Sequence, residues 1–258
     1  MKHNLTHTNQ FFFATSPLPC PYLPGRTERR VVTELVGRDA QLLHDRLSMA
    51  GFRRSHNIVY APACQGCQAC LAVRIRANEF RPSRSHRRIW NRNRNLWVKE
   101  KEPWATREQF EIFSHYQESR HAGGDMARMD FQDYQALVED TPVDTRLVEF
   151  HDDDRGLVAA CLMDRVENGL SAVYSFFEPN LYRLSLGSYM ILWMVNRARE
   201  MGLQYVYLGF WISGCSKMSY KSKFQPLEGW TTDQWRELTP EECENGLAPP
   251  GLDGIDRD

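Results

Sequence analysis

Three strand-like runs, Arg146–Phe150, Leu157–Arg165 and Ser171–Phe177, follow one another through short turn-rich connections, and this constrains the fold more than any other feature. The connectors, His151-Asp-Asp-Asp-Arg-Gly156 and Glu167-Asn-Gly169, carry the Asp, Asn and Gly that tight turns require. A hairpin set is therefore expected. Behind it, Ser188–Glu200 reads as an amphipathic helix, with Met190, Ile191, Met194, Val195 and Ala198 apolar and a stop at Met201-Gly202. Tyr205–Phe210 reads as a further strand.

Two helices precede the hairpins: Arg107–Ser119, with Phe110, Phe113 and Tyr116 on one side, and Asp130–Val138. This order, in an α/β (α+β) chain, is that of an acetyltransferase-like (GNAT) domain, assigned to residues 104–238, whose sheet splits and holds an acyl donor in the opening. Residues 1–103 read as an Arg- and Cys-rich subdomain packed on it. There Val31–Leu35, Asn57–Tyr60 and Ala72–Ile75 are expected strands and Asp39–Ala50 a helix. Arg84–Trp97 reads as a basic helix weakened by Asn91, Asn93 and Asn95. Residues 239–258 hold six acids against one arginine and are expected to be disordered.

In 258 residues no apolar stretch approaches the length of a membrane span, and Met1–Phe13 lacks a secretory core. A cytosolic monomer with reduced thiols is expected. The net charge of -1 argues against nucleic-acid binding only if charge is evenly spread. It is not: Arg81, Arg84, Arg87, Arg88, Arg92 and Arg94 lie in a stretch without one acid, beside Trp90 and Trp97. Such a run reads either as a solvated helix face or as an RNA contact.

Cys64, Cys67 and Cys70, at spacing three, suit convergence on a metal, with Cys20 as the candidate fourth ligand. Buried inert thiols are the alternative. Cys161, Cys215 and Cys243 stand alone.

Three segments resemble the arginyl/leucyl-tRNA–protein transferase family: Cys20–Arg26, Arg54–Ile75 and Tyr205–Pro226. The Cys64–Cys70 form resembles the bacterial branch, which implies transfer of leucine from Leu-tRNA to proteins beginning with Asp or Glu, marking them for degradation. Arginyl-transferring relatives are associated with an iron–sulfur cluster and carry a second cysteine in the first segment. Here Leu23 stands at that place, so an iron–sulfur cluster or zinc is a candidate only.

An aminoacyl-tRNA is an activated ester, so the chemistry is attack by an α-amine on a carbonyl. It needs alignment, a neutral amine and oxyanion stabilisation, and no cofactor. The arginine run and the pair Lys217 and Lys221, with Lys223 nearby, are the candidate donor-phosphate contacts; a spacing of four puts the first two on one helix face. Arg26, Arg120 and Arg128 are candidates for the acceptor carboxylate. Asp164, Tyr174, Glu178 and Tyr207, on the cleft strands, are candidate amine-handling groups. Phe176, Phe177 and Trp211 are the expected leucyl wall. Arginyl transfer, a non-catalytic metal-containing tRNA-binding protein and a CoA-dependent acetyltransferase are the alternatives. The last lacks its glycine-rich loop, since Arg183–Tyr189 offers only Gly187.

Overall fold

The computed structural model describes residues 10–247. The first strands are β1 (Phe13–Ala14), β2 (Leu18–Pro19), β3 (Thr27–Glu28) and β4 (Arg30–Glu34), then helix α1 (Ala40–Met49). Next come β5 (Arg53–Ser55), β6 (Ile58–Pro62), β7 (Leu71–Arg76), α2 (Arg84–Arg92) and β8 (Trp97–Lys101). Helices α3 (Arg107–His121) and α4 (Phe131–Glu139) lead into β9 (Thr145–Asp152), β10 (Gly156–Val166) and β11 (Gly169–Phe177). Helix α5 (Leu186–Glu200) and β12 (Tyr205–Trp211) follow, then β13 (Leu227–Thr231), β14 (Gln234–Glu237) and α6 (Pro240–Asn245).

An eight-stranded sheet in the order β14-β13-β7-β12-β11-β10-β9-β8 organises the molecule. Its ladders are antiparallel except β11 with β12, which α5 joins as a crossover. One face packs against α5 through Met190, Met194 and Val195; the other packs against α3 and α4 through Ile112, Phe113 and Tyr134. The anticipated hairpins lie where the turn sequences put them. Among the described residues no helix is long and apolar enough to cross a membrane.

Four readings change. The basic helix ends at Arg92; Asn93 caps it, and Trp97 opens β8 instead. β7 and β8, from the first hundred residues, belong to the large sheet rather than to a separate layer. The β13–β14 hairpin escaped the sequence because Thr232 and Asp233 adopt the positive φ values (46° and 61°) that a turn of this kind normally signals with Asn-Gly. The expected tail begins with a capped helix: Thr239 accepts from the Glu242 amide, and Arg236 grips the Glu242 carboxylate. Residues 248–258 of that tail lie outside the described residues.

Candidate active site

β11 and β12 pair only from Gly169–Ser171 to Tyr205–Tyr207 and then part. Each keeps its outer neighbour, β11 with β10 to Phe177 and β12 with β7 to Trp211. The opening is a cavity of about 150 Å³. Ala172, Leu208, Met190, Ile191 and Met194 form its apolar lining; Tyr116, His121, Tyr174, Ser175 and Tyr220 add polar groups, and Arg53 and Lys221 are its cations. No carboxylate lines it.

Parting two strands inside a protein strands their carbonyls, and each unmet one costs about 1–3 kcal/mol. Here two cations meet them. Arg53 Nη2 donates to the Val173 carbonyl on β11 (2.6 Å). Lys221 Nζ donates to the carbonyls of Leu208 (2.8 Å) and Phe210 (2.6 Å) on β12. Arg53 reaches its place by lying over Gly209, whose φ is +69°; a Cβ there would sit 2.8 Å from Arg53 Nη1. Burial, then the Arg53 charge, pull the Lys221 ammonium down to about 7, with Cys215 acting the other way. Burial pushes the Tyr174 and Tyr220 phenols and the Cys161 thiol up to about 12, leaving them neutral. Burial also lowers the His121 imidazole, and the nearby charges of Lys217 and Arg120 lower it further.

The N-terminal segments close over this site. Tyr60 of β6 packs on Phe210, with ring centroids 5.8 Å apart. Tyr22, in the loop after β2, is raised by burial and opposed by the Arg53 charge, which puts it within electrostatic reach of the cavity.

Two family descriptions match the chain: "Arginine-tRNA-protein transferase, N terminus" over residues 18–88 and "Arginine-tRNA-protein transferase, C terminus" over residues 108–231. The chain belongs to the arginine-tRNA-protein transferase family. It is 55% identical over 240 residues to the aspartate/glutamate leucyltransferase of Paramagnetospirillum magneticum, covering 93% of this chain and 98% of that one. With the enzyme of the same name from Granulibacter bethesdensis it shares 54% over 235 residues, 91% and 88% of the two chains. The solved structure of L-PGS from Bacillus licheniformis overlies 72% of this chain and 54% of its own at TM-score 0.45 and 14% identity, too loosely to bear on function.

Within this transferase the anticipated residues separate into groups. Tyr174 lines the cavity, its hydroxyl accepting from Gln117. Lys221 lines it too, but as a buried group rather than a phosphate clamp. Its segment, Ser219–Lys223, is a 3-10 turn, so Lys217 and Lys221 share no α-helical face. Lys217 is exposed.

Asp164 is 0% exposed, outside the cavity lining, and taken up by Arg54 (2.6 and 2.7 Å) and Thr145 (2.7 Å). Tyr207 is spent on Asn168 and Arg74, and Glu178 caps the turn before α5. Of the expected leucyl wall, Phe176 faces the α3–α4 core and Trp211 lies in the α5 core. Phe177 stacks edge-on to Tyr116 at 4.9 Å and sits 3.4 Å from where a Gly187 side chain would begin. Arg26 and Arg128 are exposed and outside the cavity lining, whereas the Arg120 guanidinium lies 5.8 Å from the Phe177 ring.

All six arginines from Arg81 to Arg94 are exposed. Their helix docks on the turn leading into α5: Arg92 donates to Arg183 O, Asn93 to Leu184 O, and Trp90 packs on Tyr189. Trp97 instead stacks on His151, 4.1 Å centroid to centroid.

The four cysteines gather at one place, since Cys64, Cys20 and Cys67 join burial in raising Cys70 to about 12. Amides of Leu23 and Arg29 donate to Cys20 and Cys64 sulfur. Even so, among the described residues no three Cys, His, Asp or Glu side chains converge as a metal would need.

Sequence reasoning missed Arg53, Tyr116 and His121. One signal was available: a glycine inside the Tyr205–Trp211 strand marks close approach by another group.

Proposed function

We propose that this protein transfers leucine from Leu-tRNA to the α-amine of proteins beginning with Asp or Glu, and that the opening between β11 and β12 is where transfer occurs. The names of relatives at 44–55% identity over most of the chain support the reaction. The carrying observation is the cavity's lining. Met190, Ile191 and Met194 offer an aliphatic side chain an apolar seat, while an arginyl side chain would bring another cation beside Arg53 with no carboxylate to receive it. That favours leucyl over arginyl transfer.

The sheet opening, with α5 crossing behind it, supports an acetyltransferase-like reading of the C-terminal part, with the N-terminal segments as a cap. The turn into α5 starts at Ser185, in the left-handed region at φ 55°, and has no glycine-rich loop to receive a CoA pyrophosphate. Arg120, Lys217 and His121, gathered at the outer end of α3, are suited to an acceptor's acidic side chain. The exposed face of α2 is suited to the donor's phosphates, and its dock on the turn before α5 would lead an acceptor strand toward Gly187.

The test is transfer of radiolabelled leucine from Leu-tRNA to peptides beginning with Asp, Glu, Lys or Ala, with Arg-tRNA as competitor. Label confined to Asp and Glu peptides is expected; unlabelled peptides would sink the reading. Substituting Arg87→Glu with Arg88→Glu should weaken tRNA binding and flatten its salt dependence, and unchanged affinity would remove α2 from the donor site.

A further inference from the structure

The cavity holds a buried lysine whose carbonyl contacts call for two donors and no charge. Lys221 is 7% exposed and, among the described residues, has no acidic partner. Its two contacts are carbonyls on either side of Gly209, residues two apart along β12, which therefore project to the same edge of the strand. A neutral amine has two N–H bonds and one lone pair. Both N–H bonds are engaged by Leu208 and Phe210, so the lone pair is left over, on a side chain that lines the cavity. An ammonium in the same place would carry a third N–H toward a lining without a carboxylate.

We propose that Lys221 takes the proton from the attacking α-amine and returns it to the ribose oxygen that leaves. The inference rests on the leucyl-transfer reading and assigns its general base. The acceptor enters as a neutral amine. Its nitrogen forms a bond to the ester carbonyl carbon, and one of its protons passes to Lys221 Nζ. The bond from that carbon to the ribose oxygen breaks, and the oxygen takes the proton from Lys221. Amide and free tRNA hydroxyl result, with Lys221 neutral again and no other reagent needed.

The surroundings hold Lys221 in the required state. Arg53 on β5 is the one charged side chain beside it in the cavity lining; Tyr116 and His121 from α3, Cys161 from β10, Tyr174 from β11, Tyr220 next to it and Cys215 after β12 are the other titratable neighbours. Burial and Arg53 place its titration around 7, where a base serves at neutral pH.

The experiment measures single-turnover transfer from saturating Leu-tRNA to Asp peptides as a function of pH, in the wild type, Lys221→Arg and Lys221→Met, with Leu-tRNA affinity measured alongside. Arginine keeps donors for both carbonyls and cannot give up a proton. A purely structural lysine is therefore rescued by Lys221→Arg and a base is not. The expected result is a loss of at least about a hundredfold in both variants, with Leu-tRNA affinity preserved. Wild-type rates in Lys221→Arg would overturn the proposal.

Should both variants fail to fold, the wild type decides. Two Asp peptides whose amines differ in pKa should share one ascending limb near 7 if Lys221 owns it. A limb that moves with the peptide overturns the proposal. A wild type that labels no peptide overturns the leucyl reading and this inference together, whereas active wild type with an active arginine variant overturns the inference alone.

Discussion

Arg53 and Arg54 are consecutive on β5, and strand alternation sends them to opposite faces with opposite fates. Arg54, 2% exposed, meets the Asp164 carboxylate through two bonds, adds Thr145 and gives its remaining nitrogen to His56 O. Every charge there has its counter-charge. Arg53 enters the cavity with Lys221, and both find only carbonyl dipoles. The difference teaches how a buried cation is used. A compensated one fixes the packing of α1 and the N-terminal sheet on β10, while the uncompensated Lys221 has its proton affinity bent toward neutrality and is ready for chemistry.

The comparison is broken most severely at Asp164. Asp164→Ala leaves Arg54 buried without its carboxylate and should cost about 3–5 kcal/mol, read from urea unfolding, while the folded fraction keeps its transfer rate. A loss of rate per folded molecule would return Asp164 to the active site.

Arg53→Met probes the other half. Removing that charge raises Lys221's pKa, so the ascending pH limb of transfer should move to higher pH. A rise of one unit lowers the neutral fraction about tenfold on the acid side. A limb that stays in place would show that Arg53 does not tune the lysine.

Lys221 titrates at about 7 in the folded chain and about 10.4 when unfolded, so between these values the unfolded state binds more protons. Stability should rise with pH across that window, and the penalty should be fully present below it. Lys221→Met should remove that slope in urea midpoints taken at several pH values; identical slopes would mean a lysine that titrates normally.

The smallest effect belongs to the exposed counterpart of the Arg54 pair. Arg236 holds the Glu242 carboxylate down to about 2, yet both side chains meet water. Glu242→Ala should cost under about 1 kcal/mol in thermal or urea unfolding. That contribution should be present above the ordinary carboxylate range and fade only as pH falls toward 2. A cost rivalling Asp164→Ala would erase the distinction between buried and exposed compensation.

These roles were unevenly legible in the sequence. The hairpins and α5 were readable because their turn residues and apolar periodicity are local. The six arginines were readable as exposed for the same reason: nothing apolar alternates among them. The fates of Arg53, Arg54, Asp164 and Lys221 were not, because each is decided by a partner far along the chain. Asp164 sits on β10, beside the strands that part, and is claimed by Arg54, 110 residues away. Lys221 looked like one of a lysine set, yet a 3-10 turn before Pro226 folds it inward. Phe176 and Trp211 were named as a leucyl wall on hydrophobicity, which does not say which face of a sheet a side chain takes.

The place of β7 has a consequence for how the chain is made. Residues 71–76 lie between β12 and β13 in the sheet, so both neighbours of this strand leave the ribosome more than a hundred residues after it. Until β12 has emerged, a run of Leu71, Val73 and Ile75 waits with both backbone edges bare, and one edge stays bare until residue 231 follows. Loop closure over such separations is slow, and bare edges invite pairing with other chains. Protection during synthesis is needed most for this strand, and a pulse of amide exchange on nascent chains should find its amides protected last.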